Sequence, residues 1–187
     1  MNKAQSHKIL IGVTGASGML FLKGFLESFS EMDVTIHGIC SSSGEKVLQM
    51  EQSLVPQDLP AVSKWFDIND MAASPASGSS DYTSMVVLPC TMGTLASIAG
   101  GMSINLIHRA ADVMLKERKK LVLAVRETPL NRTHLLNMLA VHDAGATLCP
   151  TMPSYYLKPK TLQEAAQTYA WRLADQIGID LPNRKRW

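Results

Sequence analysis

Arg126-Glu127-Thr128-Pro129 sets a guanidinium beside a carboxylate directly after the apolar run Leu121 to Val125. An arginine grips carboxylate or phosphate oxygens in pairs, and a carboxylate held near it can take up and return protons. Neighbours on a strand point to opposite sides. One of the two therefore faces a ligand while the other pairs elsewhere, or the turn brings both round; a structural ion pair is the plainer reading. A second group is the turn Gly12-Val13-Thr14-Gly15-Ala16-Ser17-Gly18, which delivers Ser17 and free backbone N–H groups to a helix start. Such a start is a seat for an anion. The turn has neither the GxGxxG spacing of dinucleotide sites nor a Walker lysine, and Met19 stands where a GxSxG nucleophile elbow needs its last glycine. A plain strand-to-helix turn is an equal alternative.

Two further junctions, Cys40-Ser41-Ser42-Ser43 and Pro89-Cys90-Thr91-Met92-Gly93-Thr94, again put small hydroxyl residues at helix starts. Singly, each is a helix N-cap. Together, on one edge of a sheet, they point to a phosphorylated ligand with ring and sugar-like groups to satisfy. Arg109 and Lys116 lie seven positions apart with Asp112 between them, so two cations share one helical stripe. That stripe is an ordinary exposed ladder unless a phosphate needs a cationic wall. Tyr155 and Tyr156, in the turn Pro150 to Pro159, and Arg172 beyond it add phenols and a guanidinium, or simply pack. The five histidines, at 7, 37, 108, 134 and 142, lack metal-ligand spacing, and no metal is expected.

These residues need elements to hold them. Apolar runs at Lys8 to Val13, Val34 to Cys40, Met85 to Cys90, Leu121 to Val125 and Ala146 to Cys149 show little polar alternation, as strands covered on both faces do. Helical periodicity fills Gly18 to Ser30, Ser43 to Gln52, Met92 to Ala99, Asn105 to Arg118 and Asn131 to Ala144. A last helix from Thr161 to about Ile177 opens on capping-box spacing, Thr161 with Glu164. Strands alternating with helices predict an α/β fold, a three-layer, doubly wound parallel sheet of Rossmann-like form. In such sheets the ligand crevice lies beyond the carboxyl ends of the strands, where the junctions named above stand. The segment Ala72 to Thr83 reads as a functional or mobile loop of small residues, and a tail follows Asp180.

At 187 residues the chain makes one domain, 1–187, with the tail from about 181. Apolar residues are 46% and charged residues 18%, too hydrophobic a mixture for disorder. The net charge of +2 leaves no broad basic surface for nucleic acid, the one dense basic run being Arg184-Lys185-Arg186. Three scattered cysteines, Cys40, Cys90 and Cys149, fit a reducing cytoplasm better than a disulfide framework, and no targeting or membrane segment is visible.

Gly15-Ala16-Ser17-Gly18, Leu88-Pro89-Cys90, the succession Arg109-Ala110-Ala111-Asp112-Val113, Leu115-Lys116-Glu117-Arg118, and Val125-Arg126-Glu127-Thr128-Pro129-Leu130 together resemble the flavin prenyltransferase family of the UbiX type, from about Lys8 to Leu181. The resemblance implies transfer of a dimethylallyl group from dimethylallyl monophosphate to N5 and C6 of reduced FMN, without a metal. The product, prenylated FMN, would serve a partner decarboxylase, as in ubiquinone biosynthesis. It further implies an FMN site from Gly15, Ala16, Ser17, Ser41, Thr91, Met92, Gly93, Thr94 and Arg109. Lys116, Arg126, Tyr156 and Arg172 would surround the dimethylallyl phosphate, and Ser17, Glu51 and Glu127 would do the acid/base work. Sites would form between subunits of a large homo-oligomer, a dodecamer by this resemblance. Two positions depart from the family: Gly93 replaces a frequent lysine, and Ser80 stands where some relatives carry an aromatic able to face a cation. Trp187 either closes over the site or belongs to a disordered tail. Rival readings are an FMN-dependent decarboxylase of cysteine derivatives with the same fold, and a non-catalytic flavin carrier.

Overall fold

The computed structural model describes residues 7–185. The amino-terminal reading, Arg186 of the basic run and Trp187 lie outside these. Six strands, β1 (His7–Val13), β2 (Val34–Cys40), β3 (Val62–Phe66), β4 (Ser84–Cys90), β5 (Lys120–Val125) and β6 (Thr147–Leu148), form one parallel sheet in the order β3-β2-β1-β4-β5-β6. The helices are α1 (Met19–Glu27), α2 (Ser42–Gln52), α3 (Met92–Ala99), α4 (Leu106–Lys116), α5 (Arg132–Asp143) and α6 (Leu162–Ile177). The chain winds outward from β1 to β3 and then returns to continue from β4 on the other side of β1. The strand order thus reverses between β1 and β4, the position at which such sheets open a crevice.

The apolar runs became the central strands because both sheet faces are covered. On one face Ile9, Ile11, Val13 and Val86 pack under α1 and α6; on the other Leu10, Met85, Val87 and Leu123 pack under α3 and α4. Phe21 of α1 meets Tyr169 of α6 edge to face at 5.2 Å, locking the first layer. Sequence reading places no element at β3, which sits at the sheet edge with Ser63 and Lys64 exposed and its apolar residues only half-buried. The expected strand at Ala146 to Cys149 shortens to two residues. Helix starts follow local chemistry: Ser41, Thr91, Asn105, Asn131 and Thr161 each cap a helix, their side-chain oxygens accepting from the amide three residues on.

The segment after Asp180 is not a loose tail within the described residues. Ile179 and Leu181 are both 4% exposed and join the core, and the Arg184 guanidinium pairs with Asp175 and Asp180. No helix among the described residues is long and apolar enough to cross a membrane.

Candidate active site at the switch point

Thr14 joins the two strands that flank the reversal. Its hydroxyl donates to the Pro89 carbonyl at 2.7 Å and accepts from the Thr91 amide at 2.9 Å, tying the end of β1 to the end of β4. This buried threonine has no place among the residues singled out from sequence. Its signal was its position, directly after the first strand and before Gly15. Beyond it the chain turns through Gly15, Ala16 and Ser17, and Gly18 at φ 108° takes the left-handed conformation that starts α1. Gly15 admits nothing larger, because a Cβ there would lie 2.4 Å from Ser43 Cβ and 3.0 Å from the Ser43 backbone carbon. The turn is thereby pressed against the first turn of α2.

The start of α1 attracts an anion, and the chain supplies it. The Glu51 carboxylate, from the last turn of α2, accepts from the Gly18 amide at 2.9 Å and the Met19 amide at 2.8 Å. This corrects the expectation that the turn offers its N–H groups to an outside anion: two of them are occupied by an internal carboxylate. Ser17 also hydrogen-bonds Glu51. Partial burial pushes the Glu51 carboxyl up, but the hydrogen bonds from Ser17, Met19 and Gly18 and the charge of Arg126 outweigh it and hold the group below its ordinary 4.5. Glu51 is therefore ionised at neutral pH and offers the neighbouring Ser17 hydroxyl an acceptor.

The neighbouring helix starts remain available. At α3 the Thr91 hydroxyl takes the Thr94 amide at 3.2 Å, and at α2 the Ser41 hydroxyl takes the Gly44 amide at 3.0 Å. No acceptor within the described residues takes the amides of Met92 and Gly93, or those of Ser42 and Ser43. Nothing lies within 4 Å of where a Gly93 Cβ would stand, so this position opens outward. Arg126 continues the rim: its amide donates to the Cys90 carbonyl at 3.2 Å, and its side chain is exposed. Glu127, also exposed, accepts from its neighbour Thr128 N–H at 3.1 Å. Gly15, Ala16, Ser17, Ser41, Thr91 to Thr94, Arg126 and Glu127 thus stand on the rim at or beside the reversal, with Glu51 reaching it through α2.

Other expected residues lie elsewhere in the chain. Arg109 donates to the Ala76 carbonyl at 3.1 Å and pairs with Asp112 at 2.7 Å. Lys116 pairs with Glu117 beside Gly78, and Lys119 donates to the Ser80 carbonyl at 2.7 Å. The cationic stripe of α4 therefore pins the Ser74 to Ser80 loop. Lys116 ends α4 just before β5 begins, on the edge of the sheet opposite the rim. α4 thus carries Lys116 to the end of β5 away from Arg126, at about 1.5 Å per residue. Tyr156 and Arg172 form a third group, lining with Ser154 and Trp171 a cavity of about 330 Å³ against α6. The Thr151 amide, bonded to the Val125 carbonyl at 3.3 Å, ties the segment leading to Tyr156 to the end of β5.

Residues 1–168 match the family described as Flavoprotein. A probable UbiX-like flavin prenyltransferase of Bacillus subtilis (strain 168) is 43% identical over 96% of this chain and 89% of its own length. A UbiX crystallised with FMN and dimethylallyl pyrophosphate superposes with a TM-score of 0.93 at 38% identity, covering 97% of each chain. A dodecameric FMN-dependent UbiX-like decarboxylase of Escherichia coli O157:H7 superposes with a TM-score of 0.92 at 37% identity, over 96% of this chain and 98% of that one. With its strand order, its capped rim and this likeness along nearly its whole length, the chain belongs to the flavoprotein family and, within it, to the UbiX-type flavin prenyltransferases.

Proposed function

We propose that this protein transfers a dimethylallyl group from dimethylallyl monophosphate to N5 and C6 of reduced FMN. The observation that carries this reading is the meeting of Ser17, Glu51 and Arg126 at the switch point, beside two helix starts whose amides are open. Those starts suit a flavin phosphate: Ser41 and Thr94 offer hydroxyls, the Thr91 hydroxyl being donated to Thr94 at 3.1 Å, Met92 and Gly93 offer N–H groups, and the space beyond Gly93 is clear. Gly15 to Ser17 would line the ring. Reduced FMN, when bound, supplies the electron-rich nitrogen and carbon that take the five-carbon group.

The chain's own residues then have defined work. Arg126 stabilises negative charge on the departing phosphate, and Arg172 and Tyr156 bind phosphate oxygens from their cavity. A proton reaching the Ser17 oxygen has an ionised carboxylate to pass to, since Glu51 stands beside it. Glu127, exposed on the same rim, is the second proton carrier. Arg109 supports the FMN site through the loop it holds, and Lys116 reaches a donor phosphate only from a neighbouring subunit.

Self-association is supported by α5, where Val141 is the buried residue while Leu135, Leu136 and Leu139 are each at least 46% exposed. That apolar face begins at Leu130, three residues after Glu127, so a second subunit covering it would also wall the site. Assembly as a dodecamer, residence in the cytoplasm and delivery of prenylated FMN to a decarboxylase complete the reading. The test is anaerobic incubation with reduced FMN and dimethylallyl monophosphate, followed by mass spectrometry. A flavin heavier by one five-carbon unit is expected. Tight FMN binding with no heavier flavin would replace this reading with a carrier, and release of carbon dioxide from a cysteinyl peptide would replace it with a decarboxylase.

A further inference from the structure

Thr14 is 3% exposed, and its hydroxyl serves two partners at the end of the neighbouring strand. It donates to the Pro89 carbonyl at 2.7 Å and accepts from the Thr91 amide at 2.9 Å. The Pro89 carbonyl also accepts from the Thr14 amide at 3.3 Å, so backbone groups already hold the ends of β1 and β4 together. The hydroxyl therefore adds something other than strand pairing. It fixes the residue that caps α3, whose own hydroxyl takes the Thr94 amide and whose next two amides, Met92 and Gly93, have no acceptor among the described residues. A single planar peptide separates the amide that Thr14 holds from the first open one, so the direction of the open amides follows from this bond. The Thr14 carbonyl meanwhile accepts from the Ala16 amide at 2.9 Å and shapes the turn that leads to Ser17. One buried residue thus sets the spacing between the starts of α1 and α3. The other rim junctions are tied to the sheet through backbone groups: the Ser41 amide donates to the Val13 carbonyl at 2.9 Å, and the Arg126 amide to the Cys90 carbonyl at 3.2 Å.

We infer that Thr14 is the positioning residue of the flavin phosphate seat: its hydroxyl holds Thr91 so that the Met92 and Gly93 amides point at the phosphate. The inference rests on the reading that places that phosphate at α3. The Thr14 proton is given to Pro89, so the residue acts through Thr91 and has no donor left for the ligand. Amides aimed in advance bind an anion more tightly than loose ones, because they need no ordering when it arrives.

The test compares oxidised FMN with riboflavin, which lacks the phosphate, in fluorescence titrations of the full chain. Wild type is expected to prefer FMN. Thr14→Val keeps the branched shape and removes the hydroxyl; it should weaken FMN about tenfold, as loss of one aligned hydrogen bond does, and leave riboflavin unchanged. Thr14→Ser should restore the preference to within about threefold, since it returns the hydroxyl. A general loosening of the fold would weaken both flavins alike and would not answer to the hydroxyl. Thr14→Cys, whose sulfur is a poor acceptor, should lose the preference as well and gives the reading should Thr14→Val not fold. In turnover the change should fall on KM for reduced FMN rather than on kcat. An undiminished preference for FMN in Thr14→Val or Thr14→Cys overturns the inference and leaves the phosphate seat standing. A wild type that binds the two flavins equally removes the seat and the inference with it. Loss of the preference on removing the hydroxyl, in a protein that forms no prenylated flavin, keeps the positioning role and removes the prenyl-transfer reading instead.

Discussion

The starts of α1 and α3 stand on adjacent strands, joined by the Thr14 hydroxyl, and treat an anion in opposite ways. At α1 the Gly18 and Met19 amides close on the carboxylate of Glu51. At α3 the Thr91 hydroxyl satisfies Thr94, and the Met92 and Gly93 amides are left to a ligand. Helix starts carry partial positive charge in every protein. What differs here is whether a neighbouring element delivers the counter-charge, and α2 does so for α1 alone. The closed start fixes a carboxylate beside Ser17; the open one leaves two amides without an internal acceptor, the place at which the proposed reading seats the flavin phosphate.

Removing the internal anion gives the largest expected effect. Glu51→Gln keeps an oxygen to accept from Gly18 and Met19 but has no charge to receive a proton from Ser17. Prenyl transfer should fall about a hundredfold or more, with the FMN dissociation constant nearly unchanged in a fluorescence titration. An equal loss of flavin affinity would instead make Glu51 a structural cap. Gly15→Ala comes next, because it pushes the α1 turn off α2. Its Cβ would meet Ser43 at 2.4 Å, partly against backbone, so something must shift. A loss of about 1–3 kcal/mol in urea unfolding is expected, and a stable variant would show that the turn is looser than its packing implies.

Sequence legibility divides along the same line. The α3 start was readable because its capping is local: Thr91 and Thr94 are three residues apart, and their chemistry fixes the geometry. The α1 start was half readable. Its glycines and Ser17 announced an anion seat, but its occupant lies 33 residues away on α2, and no spacing rule connects Glu51 to Gly18. The α4 stripe fails in a related way. Seven-residue spacing put Arg109 and Lys116 on one face, as found, yet says nothing of which end of the sheet each reaches. β3 escaped because an edge strand with one covered side lacks the uninterrupted apolar run that marked β1, β4 and β5. The fold class followed directly from those central strands.

The Glu51 cap also sets a pH dependence. Its folded pKa is depressed, so its stabilising contribution is complete above the unfolded value of 4.5 and is lost as pH falls from there through the folded value. Wild type should exceed Glu51→Gln in Tm at pH 7 by the equivalent of a few tenths of a kcal/mol to about 1 kcal/mol. The gap should narrow below pH 4.5 and vanish once the carboxylate is protonated. A gap that widens in acid would mean that Glu51 is held as the neutral acid.

Gly93→Lys is the gentlest change and acts on the open start alone. Nothing stands within 4 Å of the new Cβ, so the side chain enters solvent without displacing protein atoms. Two stability effects oppose each other: losing a glycine favours the helix, while a cation in its first turn opposes the dipole. Tm should move little. A phosphate seated on the Met92 and Gly93 amides would gain a mobile ammonium partly screened by water, so FMN affinity should rise about threefold to tenfold at low salt and less at high salt. The same lysine cannot help an anion at α1, where Glu51 already occupies the amides. A salt-sensitive gain in FMN affinity therefore assigns the phosphate to α3, and unchanged affinity at every salt concentration would move it to the α2 start at Ser42 and Ser43.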